Sequence, residues 1–195
     1  AGSVRMVREA KARGLKVTAE ACPHHFTLTE ELTRGYNTHA KMNPPLRTMQ
    51  DVQAIKEGLR DGTIDVIATD HAPHATQEKQ QEFTEAPFGI VGLETALSLT
   101  LALVDEGVLT LESAVDKLAT APAKAFSLNA GTLAVGAPAD VAIVDPNREW
   151  QVDPSRFRSK SRNTPFAGWK VKGRVTTTIV SGRVVFELDR SERQA

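Results

Sequence analysis

The sequence contains very little cysteine, few aromatic residues and no excess of either charge. It has one cysteine in 195 residues, which excludes an internal disulfide and favours a reducing, cytoplasmic setting. Lys plus Arg equal Asp plus Glu at 24 each, so nothing indicates a polyanionic partner such as nucleic acid. No apolar run approaches the roughly 18 residues of a membrane helix, and no secretory leader is expected. Hydrophobic residues nonetheless make up 41% of the sequence, as a globular core requires.

The first two thirds of the sequence alternate between helix and strand patterns. Apolar residues recur at helical spacing in residues 48–62 and 92–107, which predicts two amphipathic helices. Short runs at 15–22 and 64–69 predict strands, and the second is apolar on both faces, as in a parallel sheet covered by helices. The sequence opens on a helical pattern without an initiator methionine, so we expect a piece of a longer protein.

The last third has a different character, because the helical period disappears at about residue 129. Short β-rich runs separated by Gly and Pro follow, and Ser181-Gly182 is a predicted hairpin turn. The pattern predicts an α/β part over residues 1–128 and a small all-β domain over residues 129–195. A complete (β/α)₈ barrel takes about 250 residues, so the pattern leaves open a doubly wound sheet or part of a barrel.

Polar side chains cluster where the two predicted strands end. His24 and His25 follow the first strand, and Asp70, His71 and His74 follow the second. Active sites of parallel α/β folds form at the C-terminal ends of strands, so these side chains are candidates for one site. Adjacent residues in an extended segment point in opposite directions, so the two neighbouring histidines are not expected to bind one metal ion together.

Asp70 fits two different roles. As a metal ligand or general base held at a strand end, it would serve a hydrolase that activates water. As a structural residue, it would cap the following turn through a bond from its side chain to the backbone. His74 could likewise bind an anionic substrate, bind a metal ion or pack within its loop, and the sequence leaves these roles open.

Two further candidates lie in loops. Asn43 precedes Pro44, which favours extended geometry, and its amide could bind a substrate or form a local turn. Phe88 and Gly89 end a loop of roughly 20 residues, a length that is often functional. Glycine there would permit close approach of a ligand to the backbone. Walker, GxGxxG, CxxC and GxSxG motifs are absent, so the common phosphate, dinucleotide and serine-hydrolase sites lack support.

Six segments of the sequence together resemble the C-terminal half of bacterial class I dihydroorotases, which belong to the amidohydrolase superfamily. They are TAEACPHHFTLTEE, KMNPPLR, IDVIATDHAPH, APFGIVGLETAL, GTLAVGAPADVAIVD and RNTPFAGWKVKGRVTTTIVSGRVVF. They follow the order of the family and extend to about Phe186. The resemblance implies an α/β fold, namely the C-terminal part of a (β/α)₈ TIM-type barrel plus a small β-sandwich domain.

The resemblance also implies an activity, that of a zinc-dependent cyclic amidase interconverting N-carbamoyl-L-aspartate and dihydroorotate in pyrimidine synthesis. By motif match, Asp70 corresponds to the catalytic acid that binds zinc and moves the proton, with one or two Zn²⁺ ions in the intact enzyme. Asn43, His74, Phe88 and Gly89 correspond to residues that contact the substrate. The adjacent histidines match no zinc ligand of the family.

The family's other zinc ligands and a substrate-binding arginine would lie before Ala1. Zinc takes three or four protein ligands, so we expect this chain alone to be inactive and to bind no stoichiometric zinc. A hydantoinase or allantoinase remains an alternative, as does a non-catalytic dihydroorotase-like subunit that scaffolds aspartate transcarbamoylase. The expected partners are a small-molecule substrate and the N-terminal remainder or further copies of the protein, with no nucleic acid or membrane. That transcarbamoylase is an alternative partner.

Overall fold

Helices and one pair of short strands make up the first part of the structure, a computed structural model in which residues 1–188 are described. The strands are β1 (Glu20–Ala21) and β2 (Val66–Ile67). No helix of this described range is long and apolar enough to cross a membrane. The helices are α1 (Gly2–Ala12), α2 (Pro23–Thr27), α3 (Met49–Arg60), α4 (Thr76–Lys79), α5 (Ala96–Asp105), α6 (Leu111–Val115) and α7 (Ala121–Ala125), with 3₁₀ turns at Glu30–Thr33, Thr38–Ala40 and Pro154–Arg156.

The two strands pair in parallel, which confirms the arrangement predicted from the apolar run before Asp70. Ala21 is the register partner of Ile67, and the amide of Ala68 donates to the carbonyl of Ala21 at 3.1 Å. Both strands are shorter than the predicted 15–22 and 64–69. Within the described residues, β1 pairs only with β2. Few backbone groups of the two segments can therefore form hydrogen bonds between strands, and the strands are short.

The two long helices form where the apolar period predicts them. Thr48 caps α3 by accepting a hydrogen bond from the amide of Asp51 at 3.3 Å. Both predicted stretches end in a left-handed glycine, since φ is +79° at Gly62 and +69° at Gly107. A five-residue π-helical turn, Asp116–Thr120, joins α6 directly to α7. Pro122 lies in the first turn of α7, where a missing N–H costs little.

An antiparallel sheet of three strands forms the C-terminal part. Its strands are β3 (Val141–Gln151), β4 (Lys170–Val180) and β5 (Arg183–Glu187), in that order. Ser181 and Gly182 join β4 to β5, and their φ angles of +49° and +74° match the two-residue hairpin turn predicted there.

The segment between β3 and β4 packs against the α/β part. Val152, Phe157 and Phe166 are buried in one hydrophobic cluster with Phe26 and Leu103. Full burial of each such side chain contributes about 1.5–3 kcal/mol to stability. Asn163, in the same segment, contacts Ala72 and His74 in the loop that follows β2.

Candidate functional site

Asp70 lies just beyond β2 with its side chain exposed and its backbone in the left-handed region, at a φ of +48°. Few residues other than glycine adopt this conformation, and aspartate is among those that tolerate it best. Cys22 follows β1 at the same edge of the sheet. Burial, together with the negative charges of Asp70 and Glu20, raises the pKa of the Cys22 thiol to about 12. The Asp70 carboxylate therefore lies close to the end of the neighbouring strand.

His71 forms a parallel β-bridge with Ile90, on the far side of the long loop. Its Nδ1 accepts hydrogen bonds from the amides of Gly92 at 3.1 Å and Leu93 at 3.3 Å. An amide only donates, so Nδ1 is unprotonated and already occupied. His71 therefore anchors the segment that leads into α5.

His74 brings two of the sequence candidates together. Its Nε2 lies 2.9 Å from the carbonyl oxygen of Phe88, so this nitrogen carries the proton and donates. Its Nδ1 lies 3.9 Å from the carboxylate of Glu78 in the following turn. The imidazole therefore links the loop after β2 to the Phe88–Gly89 backbone.

Position 89 requires glycine because two backbone segments approach each other closely there. Its φ is +98°, and a Cβ atom at this position would lie only 2.6 Å from Cβ of Ala72. The side chain of the preceding residue, Phe88, is 51% exposed at the surface. The long loop thus returns against the segment after Asp70, with an aromatic ring facing outward beside it.

Asn43 lies in a loop that is held on both sides. Two residues earlier, the carbonyl of Lys41 accepts a hydrogen bond from the amide of Gly89 at 2.8 Å. One residue later, the carbonyl of Pro44 accepts from Nε2 of His25 at 2.8 Å. The side chain of Asn43 is exposed between these two anchors. The structure thus joins the Asn43 loop to the Phe88–Gly89 loop.

Asn163 is a site residue that the sequence reasoning did not identify. Its side chain is only 3% exposed, and its Nδ2 donates to the carbonyls of Ala72 at 2.8 Å and Gly89 at 3.3 Å. Its Oδ1 accepts from the amide of His74 at 3.2 Å, and its carbonyl accepts from the amide of Val91 at 3.0 Å. The only sequence signal for Asn163 is its position in the RNTPF segment, which resembles the family but predicts no role for this residue.

Two buried lysines, Lys41 and Lys79, contact the end of the long loop and were not identified from the sequence. The long loop was expected to lack regular structure, but it contains the short helix α4, which ends at Lys79. Burial, followed by the charge of Lys41, lowers the pKa of Lys79 to about 8. Lys41 stands two residues before Asn43 in the KMNPPLR segment, which was the available signal.

The expectation that His24 and His25 lie on an extended segment is wrong. Pro23 starts the short helix α2, a position that suits proline because its φ is already helical. The two imidazole rings lie on the same side, with their centres 4.2 Å apart. One ligand atom each from Cys22, His24 and His25 lie within 4.8 Å of one another, and no other such group is found in residues 1–188. These three side chains are a candidate metal-binding group.

The donors of this group are only partly suited to zinc. Burial, with a smaller effect of His25, lowers the pKa of His24 to about 3, so its imidazole is neutral, as a ligand must be. The Cys22 thiol would have to lose its proton against a raised pKa, and His25 already uses Nε2 to bond Pro44. Asp70 by itself supplies one carboxylate. The described residues therefore do not form a complete zinc site.

Comparison with known proteins places these residues in a family. The family model described as "Amidohydrolase family" matches residues 1–185. The dihydroorotases of Syntrophotalea carbinolica and Geobacter metallireducens are 60% and 59% identical to the chain over 187 and 186 residues. These matches cover 96% and 95% of this chain but 44% of each relative, so the chain spans less than half the length of the curated relatives.

Solved structures share the fold of this chain. The L-hydantoinase (dihydropyrimidinase) of Arthrobacter aurescens superposes with a TM-score of 0.88 at 34% identity, over 94% of this chain and 42% of that one. The dihydropyrimidinase of Brevibacillus agri superposes with a TM-score of 0.90 at 26% identity, over 96% and 43% of the two chains. On the sequence match and the shared fold, the chain belongs to the amidohydrolase family.

Proposed function

We propose that this chain is the C-terminal portion of a dihydroorotase, which interconverts N-carbamoyl-L-aspartate and (S)-dihydroorotate. The observation that carries the proposal is the position of Asp70, an exposed carboxylate on a left-handed backbone at the C-terminal end of a parallel strand. Backbone strain of this kind is concentrated at functional sites. The identity of about 60% to named dihydroorotases supports the choice of substrate within the family.

The proposed architecture follows from the same family. Residues 1–128 would form the last βα units of a (β/α)₈ TIM-type barrel, with β1 and β2 as neighbouring barrel strands. Residues 129–195 would form part of a small β-sandwich, to which the antiparallel sheet β3–β4–β5 belongs. Residues 189–195 of this range lie outside the described residues. Support comes from the parallel pairing of β1 with β2 and from the likeness to solved hydantoinases. In such a barrel, the edge that carries Asp70 is the edge where active sites form.

In this proposal Asp70 is both a ligand and a proton carrier. Bound zinc, one or two ions with further ligands from outside this chain, would supply Lewis acidity towards water and the substrate carbonyl. The Asp70 carboxylate accepts the proton released when water attacks the ring carbonyl, and it delivers that proton to the departing ring nitrogen. General acid–base catalysis of this kind contributes about 10²- to 10⁴-fold to the rate.

Asn43, His74 and the Phe88–Gly89 backbone are the proposed substrate contacts. The amide of Asn43 can donate to the substrate carboxylate and accept from a ring N–H. A protonated imidazole donates from both nitrogens. His74 in that form can donate to the Phe88 carbonyl through Nε2 and to the substrate carboxylate through Nδ1. Tight packing of Gly89 on Ala72 keeps the loop backbone in one position against the ring.

The substitution Asp70→Asn in the intact protein tests the proposal. It keeps the size of the side chain but removes the proton acceptor, so kcat for dihydroorotate should fall at least about 10²-fold. Binding of dihydroorotate, measured by calorimetry, should largely survive. Near-normal turnover by the Asn variant would refute the role of Asp70.

A hydantoinase or dihydropyrimidinase activity is the second candidate, because the solved structures with the same fold carry those names. Assays of dihydroorotate, hydantoin and allantoin side by side separate the alternatives, and we expect dihydroorotate to have the highest kcat/KM. A non-catalytic scaffold is disfavoured because Asp70, Asn43 and His74 are all present. Homo-oligomers, a complex with aspartate transcarbamoylase and a cytoplasmic location belong to the proposal, and co-purification tests the complex.

A further inference from the structure

Two lysine side chains are almost wholly removed from solvent beside the proposed substrate loop. Lys41 is 8% exposed and Lys79 is 3% exposed. A buried ammonium group is costly unless hydrogen bonds replace the water it loses. The partners of both groups lie in a single segment, residues 84–89, which is called the 84–89 loop below.

The ammonium groups bind this loop through its main-chain carbonyls. Nζ of Lys41 donates to the carbonyls of Thr84 at 2.9 Å and Ala86 at 2.5 Å. Nζ of Lys79 donates to the carbonyls of Pro87 at 2.8 Å and Gly89 at 3.2 Å. Hydrogen bonds from a charged donor are roughly twice as strong as neutral ones, so these four bonds hold the loop firmly.

The lysines are themselves fixed in place. The carbonyl of Lys41 accepts from the amide of Gly89, and the carbonyl of Lys79 accepts from the hydroxyl of Thr38. Nζ of Lys41 also lies 4.6 Å from the centre of the Phe88 ring, within the range of a cation–π interaction. The contacts that other segments make with the 84–89 loop therefore include both lysines, together with His74 and Asn163.

We propose that Lys41 and Lys79 are positioning residues, which clamp the 84–89 loop by its carbonyls and so set the Phe88–Gly89 backbone against the substrate ring. The proposal rests on the proposed function of that backbone as a substrate contact. Neither lysine touches the reacting atoms, so the clamp acts on substrate binding rather than on proton transfer. Loss of the Lys41 ammonium removes the donor to the Thr84 and Ala86 carbonyls. Loss of the Lys79 ammonium removes the donor to the Pro87 carbonyl and leaves the Gly89 carbonyl with Asn163 alone. Each loss therefore loosens one end of the loop.

Lys41→Met and Lys79→Met in the intact protein test the clamp, since methionine has similar length but no charge and no donor. Each variant should raise KM for dihydroorotate about tenfold, equivalent to about 1.4 kcal/mol, with kcat changed by less than about threefold. Amide hydrogen exchange in residues 84–89 should accelerate at least about tenfold, a readout that does not depend on activity.

Lys117→Met is the matched control. Lys117 is also buried, at 7% exposure, and its Nζ donates to the carbonyl of Ile64 at 2.6 Å, away from the loop. This variant should lower stability but leave exchange in residues 84–89 and KM unchanged. Lys41→Arg, which keeps a charged donor, should recover part of the lost affinity.

The outcomes separate the clamp from the proposed function. Unchanged exchange in the 84–89 loop of both Met variants would overturn the clamp, and so would faster exchange with an unaltered KM. Equal effects in Lys117→Met would also overturn it, because they would reflect a general loss of stability. A protein that does not turn over dihydroorotate would refute the proposed function. Even then, faster hydrogen exchange of the 84–89 loop in Lys41→Met and Lys79→Met, but not in Lys117→Met, would support the clamp.

Discussion

The backbone amide of His74 donates a hydrogen bond to Oδ1 of Asn163, a residue 89 positions later in the chain, at 3.2 Å. The side chain of Asn163 also donates, through Nδ2, to the carbonyl of Gly89 on the opposite loop. One buried amide from the connection between β3 and β4 thus joins the loop after β2 to the end of the long loop. The C-terminal part therefore contributes directly to the geometry of the candidate site.

Asn163→Ala should destabilise the protein by about 1–3 kcal/mol, because it removes the partner of the part-buried His74 amide and the side-chain donor to the Ala72 carbonyl, and leaves the Gly89 carbonyl with Lys79 alone. Urea denaturation measures the change. Asn147→Ala is the control, since Asn147 is exposed and should change stability by less than about 0.5 kcal/mol. Equal stability of the two variants would show that Asn163 does not hold the loops.

Gly89→Ala should destabilise the protein more than Gly136→Ala. Both glycines have a left-handed φ, of +98° and +88°, so each substitution costs about 1–2 kcal/mol in backbone strain. Only at position 89 would the new Cβ also collide with Ala72, whereas no atom lies within 4 Å at position 136. Thermal unfolding measures the difference, and indistinguishable melting temperatures would contradict the close packing.

The Lys79 ammonium should titrate near pH 8, since burial and then the charge of Lys41 lower its pKa from 10.5 to about 8. His39 also faces this group, and its own pKa is lowered by burial and by Lys79. Between pH 8 and 10.5 the unfolded state binds more protons than the folded state, so Lys79 makes the unfolding free energy rise with pH.

Carbon NMR of lysine labelled at Cε follows this titration, with Lys79→Met to assign the signal. The difference in unfolding free energy between the parent protein and the Met variant should grow as pH rises from 8 to 10. A signal that titrates with the other lysines, or a difference that falls over this interval, would contradict the buried position.

The 195-residue chain by itself should bind less than one zinc ion per molecule at neutral pH. Asp70 supplies a single carboxylate. The pKa of the Cys22 thiol is raised to about 12, so the thiol stays protonated at neutral pH, whereas a metal ligand must be deprotonated. Elemental analysis after dialysis against zinc measures the content. One zinc per chain that disappears in Cys22→Ser would instead assign a metal site to Cys22, His24 and His25.

Much of the secondary structure could be predicted because its signals are local. The apolar period predicted α3 and α5, and a glycine follows the C-terminal end of each helix. The Ser181-Gly182 pair predicted the β4–β5 turn. Strand lengths could not be predicted in the same way, since a ladder needs a partner strand and not only a β-branched run. The helix at Pro23 was not predicted, because the residues directly after the predicted strand 15–22 were interpreted as an extended loop.

The sequence by itself determined the family, the alternation of elements and the position of Asp70 at a strand end, because each of these depends on residues that are near one another in the chain. Tertiary structure alone decided that His74 meets Phe88, that two lysines lie under the 84–89 loop and that Asn163 joins both loops. These contacts connect residues separated by 8 to 91 positions, and the folding of the intervening chain brings them together.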